Sequence, residues 1–225
     1  MTMSEIPLKE AETSLFAEWR AVESRFVEDG AVDEVAYHKS RPRLLFVLKE
    51  VNDPDGGDWD LREFLRNGGR AQTWDSVARW VKAIRSLPAE VLWKNFPTDP
   101  IAKAEFRKCE LASIVAINLK KSPGGHTTEP GLLAEHAQRD KELIKRQIAL
   151  YGPDLVICCG SAVADLLATM YPIIPWSVTA RGIYHGRLDD AIVISAPHPE
   201  VRIQESIPHY ALIDAIRELT NAVTT

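Results

Sequence analysis

Pro153-Asp154-Leu155-Val156-Ile157-Cys158-Cys159-Gly160-Ser161-Ala162-Val163 carries the strand, turn and helix start on which the fold is read. From Leu155 to Cys159 no polar residue interrupts the run, so both faces of the extended chain ask for burial, the mark of a strand inside a covered sheet. Gly160-Ser161 stops the run and opens a helix through Val163, Leu166 and Leu167. Working outward from this unit, three similar runs predict buried strands: Arg43 to Leu48, Ser113 to Leu119 and Ala191 to Ala196. Between the second and third strands lies a helical stretch with Leu133, Ala137, Ile144 and Ile148 on one face. Thr128 and Pro130 are its start signals, and Gly152-Pro153 closes it. A last amphipathic helix carries Leu212, Ile213, Ile216 and Leu219; near the N-terminus Leu15, Trp19, Val22 and Phe26 predict a helix packed on the sheet. Strands alternating with helices predict an α/β protein whose parallel sheet is covered by helices.

With 225 residues, 45% hydrophobic and 26% charged, the chain suits one domain with one sizeable core. Neither a basic-then-apolar leader nor an apolar run long enough for a bilayer is present, so a soluble, cytoplasmic protein with no membrane partner is expected. The three cysteines, Cys109, Cys158 and Cys159, form no C-x-x-C pair, which excludes a disulfide framework and an all-cysteine metal or cluster site. A net charge of -5 argues against a broad basic surface, yet local basic spots can still grip phosphates.

In such a fold the residues just past the strand ends converge on one crevice. The first strand ends in Lys49-Glu50-Val51-Asn52-Asp53-Pro54, the second in Asn118-Leu119-Lys120-Lys121-Ser122-Pro123, and the last in Pro197-His198-Pro199-Glu200. A carboxylate, a carboxamide and an imidazole have complementary capacities: one holds a water or steadies cationic charge, one reads a polar edge, and one stabilises a leaving anion. Each also has an ordinary reading. Glu50 fits a surface ion pair with Lys49 or Arg41, Asn118 a turn or cap residue, and His198-Pro199 a simple turn.

The order of these segments resembles the uracil-DNA glycosylase superfamily, and most of all its branch whose first motif reads Gly-Glu-Ala-Pro-Gly. Leu45 to Asp53 is similar to that strand and motif, with Glu50 on its carboxylate. Ile117 to Pro123 is similar to the segment in which an Asn ends a strand before a basic, Pro-containing loop, and Gln147 to Leu167 to its helix, strand, Gly turn and helix. Thr179 to Gly186 resembles the Arg-Gly turn before the last strand, and His198-Pro199 the His-Pro-Ser motif. The match spans roughly 43 to 204. Four cluster-binding cysteines of that branch are missing, Lys49, Asn52 and Asp53 depart from the first motif, and Glu200 replaces the last Ser. The segment from Glu50 to Asn118 is also longer than its family counterpart and holds Asp55 to Asp60, Gly68-Gly69 and a Trp-rich helix from Trp74 to Leu87. It is read as an enlarged insertion at 53–110, and residues 1–40 as an N-terminal helical extension, within a single glycosylase-like domain.

The resemblance implies a three-layer α/β/α fold with a central four-stranded parallel sheet and a monomer acting on DNA; no cofactor is expected, the missing cysteines predict no iron-sulfur cluster, and the histidine spacing predicts no metal. It implies a monofunctional DNA glycosylase that hydrolyses the N-glycosidic bond of a flipped uracil or modified pyrimidine and leaves an abasic site, as in base-excision DNA repair. Glu50 would stabilise the oxocarbenium-like sugar and position the water, with Asn52 and Asp53 as rivals. His198 would donate to the departing base, and Asn118 would read its edge. Trp59, Phe64 and Trp74 are candidates for stacking on the base, each with plain core as the competing reading. Lys120, Lys121, Arg181 and Arg202 are candidates for phosphate contacts, with solvated surface as the competing reading. Two alternatives stand beside this: a glycosylase for hypermodified cytosine in phage DNA, serving antiphage defence, and a non-catalytic nucleic-acid or nucleotide-binding domain. The histidines, including His126, His185 and His209, lack metal-ligand spacing.

Overall fold

In the computed structural model of the protein, residues 8–53, 56, 59–125, 129–172 and 175–221 are described. Thr128, Asp55, Gly57, Asp58 and His126 lie outside them. The first half of the chain forms α1 (Leu8–Arg20), β1 (Gly30–Ala31), α2 (Glu34–Lys39), β2 (Leu44–Leu48), α3 (Leu61–Arg66), α4 (Ala71–Ser86) and α5 (Pro100–Leu111). The second half forms β3 (Val115–Asn118), α6 (Pro130–Arg139), α7 (Lys141–Tyr151), β4 (Leu155–Cys159), α8 (Ser161–Met170), β5 (Ser177–Val178), β6 (Tyr184–Leu188), β7 (Ala191–Ala196) and α9 (Ser206–Asn221).

The protein is α/β, and the four apolar runs are its central strands, ordered β3-β2-β4-β7 and parallel throughout. A purely parallel four-stranded sheet is corrected at both edges. Antiparallel β1 pairs with β3, and antiparallel β6 and then β5 extend the other side, making a mixed sheet of seven strands among the described residues. These edge strands carry no apolar run: β1 is Gly-Ala, and β6 is Tyr184-His185-Gly186-Arg187-Leu188. Ladder hydrogen bonds to a neighbour, and not a hydrophobic signature, define them.

Strand alternation explains why central runs must be apolar on both sides. Leu45, Val47, Val115, Ile117, Val156, Cys158 and Val193 face one core, with Leu15, Trp19, Leu133, Ile144, Ile148 and Leu167 from α1, α6, α7 and α8. Leu44, Phe46, Ala116, Ile157, Cys159, Ile192 and Ile194 face the other, with Leu61, Leu65, Trp74, Val77, Trp80, Leu111, Leu212 and Ile216 from α3, α4, α5 and α9.

Two helix expectations change. The stretch before β4 is two helices, because Asp140 ends α6 and begins α7 with φ -95° and ψ 7°, a conformation that breaks the helix without Gly or Pro. The N-terminal helix stops at Arg20; Val22 is exposed, while Phe26 returns to the core by stacking on Trp19 at 5.9 Å. Residues 8–40, besides the helices α1 and α2, also contribute the two-residue β1 to the sheet. No helix among the described residues is long and apolar enough to cross a membrane.

Candidate functional site

The carboxyl ends of β3, β2, β4 and β7 lie side by side, bringing Asn118, Lys49-Glu50, Gly160-Ser161 and His198 to one edge of the sheet. Three strand spacings, about 14 Å, separate the ends of β3 and β7.

At the β7 end, Pro197-His198-Pro199-Glu200 leaves the sheet in a turn closed by Val201 N–H donating to the His198 carbonyl at 3.0 Å. The Glu200 backbone N–H donates to His198 Nδ1 at 3.1 Å. Nδ1 is therefore the acceptor, the neutral ring carries its proton on Nε2, and Nε2 has no hydrogen-bond partner among the described residues. Burial holds the His198 pKa below its ordinary value; nearby Glu200 opposes that shift and Lys49 adds to it. Beside the ring, Gly160 takes φ +103°, a conformation an L side chain rarely adopts, and starts α8. Lys49, Gly160, Ser161, Ala162, Ser195 and His198 line a cleft of about 450 Å³ here, in the size range of small-molecule sites. A donor imidazole, a cation and a helix N-terminus give this cleft an affinity for negative charge.

At the β3 end the environment is closed. Asn118 is 2% exposed, does not line that cleft, and its Nδ2 has no partner. Its backbone N–H donates to Asp29 Oδ2 at 2.7 Å. The fully buried Asp29 also accepts from Lys121 Nζ at 2.8 and 2.9 Å and from Gln147 Nε2 at 2.9 Å. Lys121 Nζ donates in addition to Gln147 Oε1 at 2.7 Å and lies 4.7 Å from the centre of the Trp19 ring. Burial lowers the Lys121 pKa, and Asp29 resists that shift. The phosphate-contact reading of Lys121 is corrected: the side chain is fully buried and points into the core to hold the Asn118 loop.

Between the two ends, Glu50 is paired with Lys120, and neither side chain exceeds 6% exposure. Lys120 Nζ also donates to the carbonyls of Ser122 and Pro123, at 3.2 and 3.0 Å. The surface pair of Glu50 with Lys49 or Arg41 is thus replaced by a buried pair with Lys120, and Lys120 is not available to a phosphate backbone in this structure. Gly124 lies over this pair: a Cβ there would stand 2.0 Å from Glu50 Oε2. The loops run together beyond the strands, with Lys120 N–H donating to Lys49 O and Gly124 N–H to Val51 O at 2.9 and 2.8 Å. Asn52 is exposed on this rim, where it bridges to Gly124, and Asp53 is half-buried next to it.

Trp74 is 4% exposed inside the α4 core, so its reading as a base-stacking ring is corrected to packing. Trp59 and Phe64 are half-buried and meet at 4.9 Å, against the cluster containing Leu48 and Val51. Arg181 is exposed at the β5–β6 hairpin, 3.6 Å from Asp214, and Arg202 and Ile203 are exposed just past the His198 turn. Cys158 and Cys159 are buried on opposite faces of β4, with burial pushing the Cys158 thiol up to about 12. Among the described residues no group of three or more His, Cys, Asp or Glu is placed to hold a metal.

Four contributing residues are missed by the sequence reading. Asp29 precedes a two-residue strand and gives no signal of burial. Lys49 is read there only as a departure or an ion-pair partner. Gly160 and Ser161 are read as a helix start, although Gly at a strand's carboxyl end also marks a close-approach turn. Neither family models nor curated proteins give a match to this chain.

Proposed function

We propose that this protein is a DNA base glycosylase acting on a flipped uracil or modified pyrimidine. The observation that carries the reading is a pair of unclaimed polar groups on one sheet edge: the buried, unpartnered Asn118 carboxamide and the unpartnered Nε2–H of His198. A buried amide without a partner is costly, and a substrate edge would satisfy it. The resemblance of the motif order to the uracil-DNA glycosylase superfamily gives that edge an identity.

In this reading the N-glycosidic bond breaks with positive charge on the sugar and negative charge on the base. His198, kept neutral, donates Nε2–H to the base oxygen that becomes anionic. Asn118 pairs with the base edge. Glu50, its charge balanced by Lys120, faces the cationic sugar, while exposed Asn52 and neighbouring Asp53 are the rim groups able to hold the attacking water. Lys49, Arg202 and the α8 N-terminus supply phosphate contacts, and Trp59 or Phe64 the stacking face.

A hypermodified cytosine is a second reading, favoured by the roomy cleft that runs past His198 and has the polar side chains of Lys49, Ser161 and Ser195 in its otherwise largely apolar lining. A non-catalytic DNA-binding domain is a third, favoured by the engagement of Glu50 with Lys120. Incubation with uracil-containing, hydroxymethylcytosine-containing and glucosylated phage DNA separates them, with released base measured by mass spectrometry and abasic sites by alkali cleavage. Release of one base with matching abasic sites is expected. Salt-sensitive binding without release would favour the binding domain.

A further inference from the structure

The His198 turn is held from outside the sheet. The Glu200 carboxylate accepts from Arg70 at 2.5 Å and from Thr73, both at the start of α4, inside the segment that lengthens the chain between β2 and β3. The same residue's backbone N–H is the donor to His198 Nδ1. One residue thus ties a helix to the atom that decides where the imidazole carries its proton.

The platform beneath is rigid. Gly68 and Gly69 turn the chain from α3 into α4 with φ +91° and +60°, and a Cβ on Gly69 would stand 2.6 Å from Trp74 Cδ1. Arg107 donates to Gly68 O at 2.8 Å and pairs with Asp75 at 2.5 Å, locking the first turn of α4 to α5. Arg70 and Thr73 are therefore presented at a fixed height, and the carboxylate spanning them fixes the Glu200 backbone.

We propose that Glu200 is a positioning residue: clasped by Arg70 and Thr73, it holds its N–H on His198 Nδ1 and so keeps the imidazole as the Nε2–H tautomer aimed into the cleft. This rests on the glycosylase reading for its consequence, but the tautomer is a property of the free protein. It also gives the α3–α4 segment a task, since the helices that enlarge the chain clamp the turn that stabilises the leaving base. Partial burial opposes ionisation of Glu200, but the hydrogen bond from Thr73 and the pair with Arg70 outweigh it, holding the carboxyl below its ordinary value. Glu200 is therefore charged at neutral pH, and its charge is spent on Arg70.

The test uses the full chain with ¹⁵N-labelled histidine. In the wild type, His198 should show the two nitrogen shifts of a single Nε2–H tautomer; in Glu200→Ala, and independently in Arg70→Ala, the two shifts should move toward each other as a second tautomer appears. Glu200→Gln, whose amide oxygen accepts from the same two donors, should restore the wild-type pattern. Base release should fall about 10- to 100-fold in kcat for Glu200→Ala with KM little changed, the range for removing a group that orients an imidazole, and recover in Glu200→Gln. Wild-type nitrogen shifts in both Glu200→Ala and Arg70→Ala would overturn the proposal. If the wild type releases no base, the glycosylase reading fails while the nitrogen shifts still decide the role of Glu200.

Discussion

The two ends of the sheet edge are built on opposite plans. Asn118 sits over a sealed network in which Asp29 is satisfied by Lys121, Gln147 and a backbone N–H, with no exposed member. His198 stands beside an open cleft, oriented by one backbone hydrogen bond and a half-exposed clasp. The buried end is closed by its own partners, and the open end leaves His198 Nε2 beside a cleft, where a ligand would meet it in the proposed function.

This contrast is broken most severely by Asp29→Ala, which strands the Lys121 charge in the core and should cost about 3–5 kcal/mol in urea unfolding. Glu200→Ala, removing a partly exposed ion pair, should cost no more than about 1 kcal/mol. Equal losses at the two sites would erase the distinction.

The central strands were legible because burial on two faces leaves no choice but apolar runs, as in Leu155 to Cys159. The edges were not, since β1 and β5 have two residues each and β6 alternates exposed and buried positions around polar side chains. Site legibility followed the same rule. Asn118 and His198 announce themselves as polar groups at the ends of apolar strands. Lys121 does not, because a lysine after a strand is ordinarily solvated, and its burial depends on Asp29, 92 positions away. The role of Glu200 is equally silent in sequence: its partners Arg70 and Thr73 are 130 and 127 positions distant.

A milder probe of the open end is pH. Burial favours neutral His198, and the neutral ring is the form that accepts the Glu200 N–H. Because the pKa is lowered, the neutral form persists as pH falls through histidine's ordinary value of about 6.5, and base release should decline only below it. A half-maximal rate at or above that value would contradict this placement. The smallest effect expected is at Lys49, which lines the cleft. Lys49→Ala should leave stability within about 0.5 kcal/mol and flatten the salt dependence of DNA binding by about 0.9 in log–log slope, one phosphate's worth. An unchanged slope would remove Lys49 from the interface.

The most direct measurement is single-turnover base release by the wild type beside Asn118→Ala and His198→Ala. Release of a pyrimidine with an equal yield of abasic sites is expected from the wild type, with a loss of about 10²- to 10³-fold in His198→Ala, the range for removing one donor to a developing anion. A comparable loss is expected in Asn118→Ala, and the unfolding midpoints of both variants should stay close to the wild type's. Undiminished release by either variant, or no release by the wild type from uracil or modified-cytosine DNA, would contradict the assignment of this sheet edge to glycosidic cleavage.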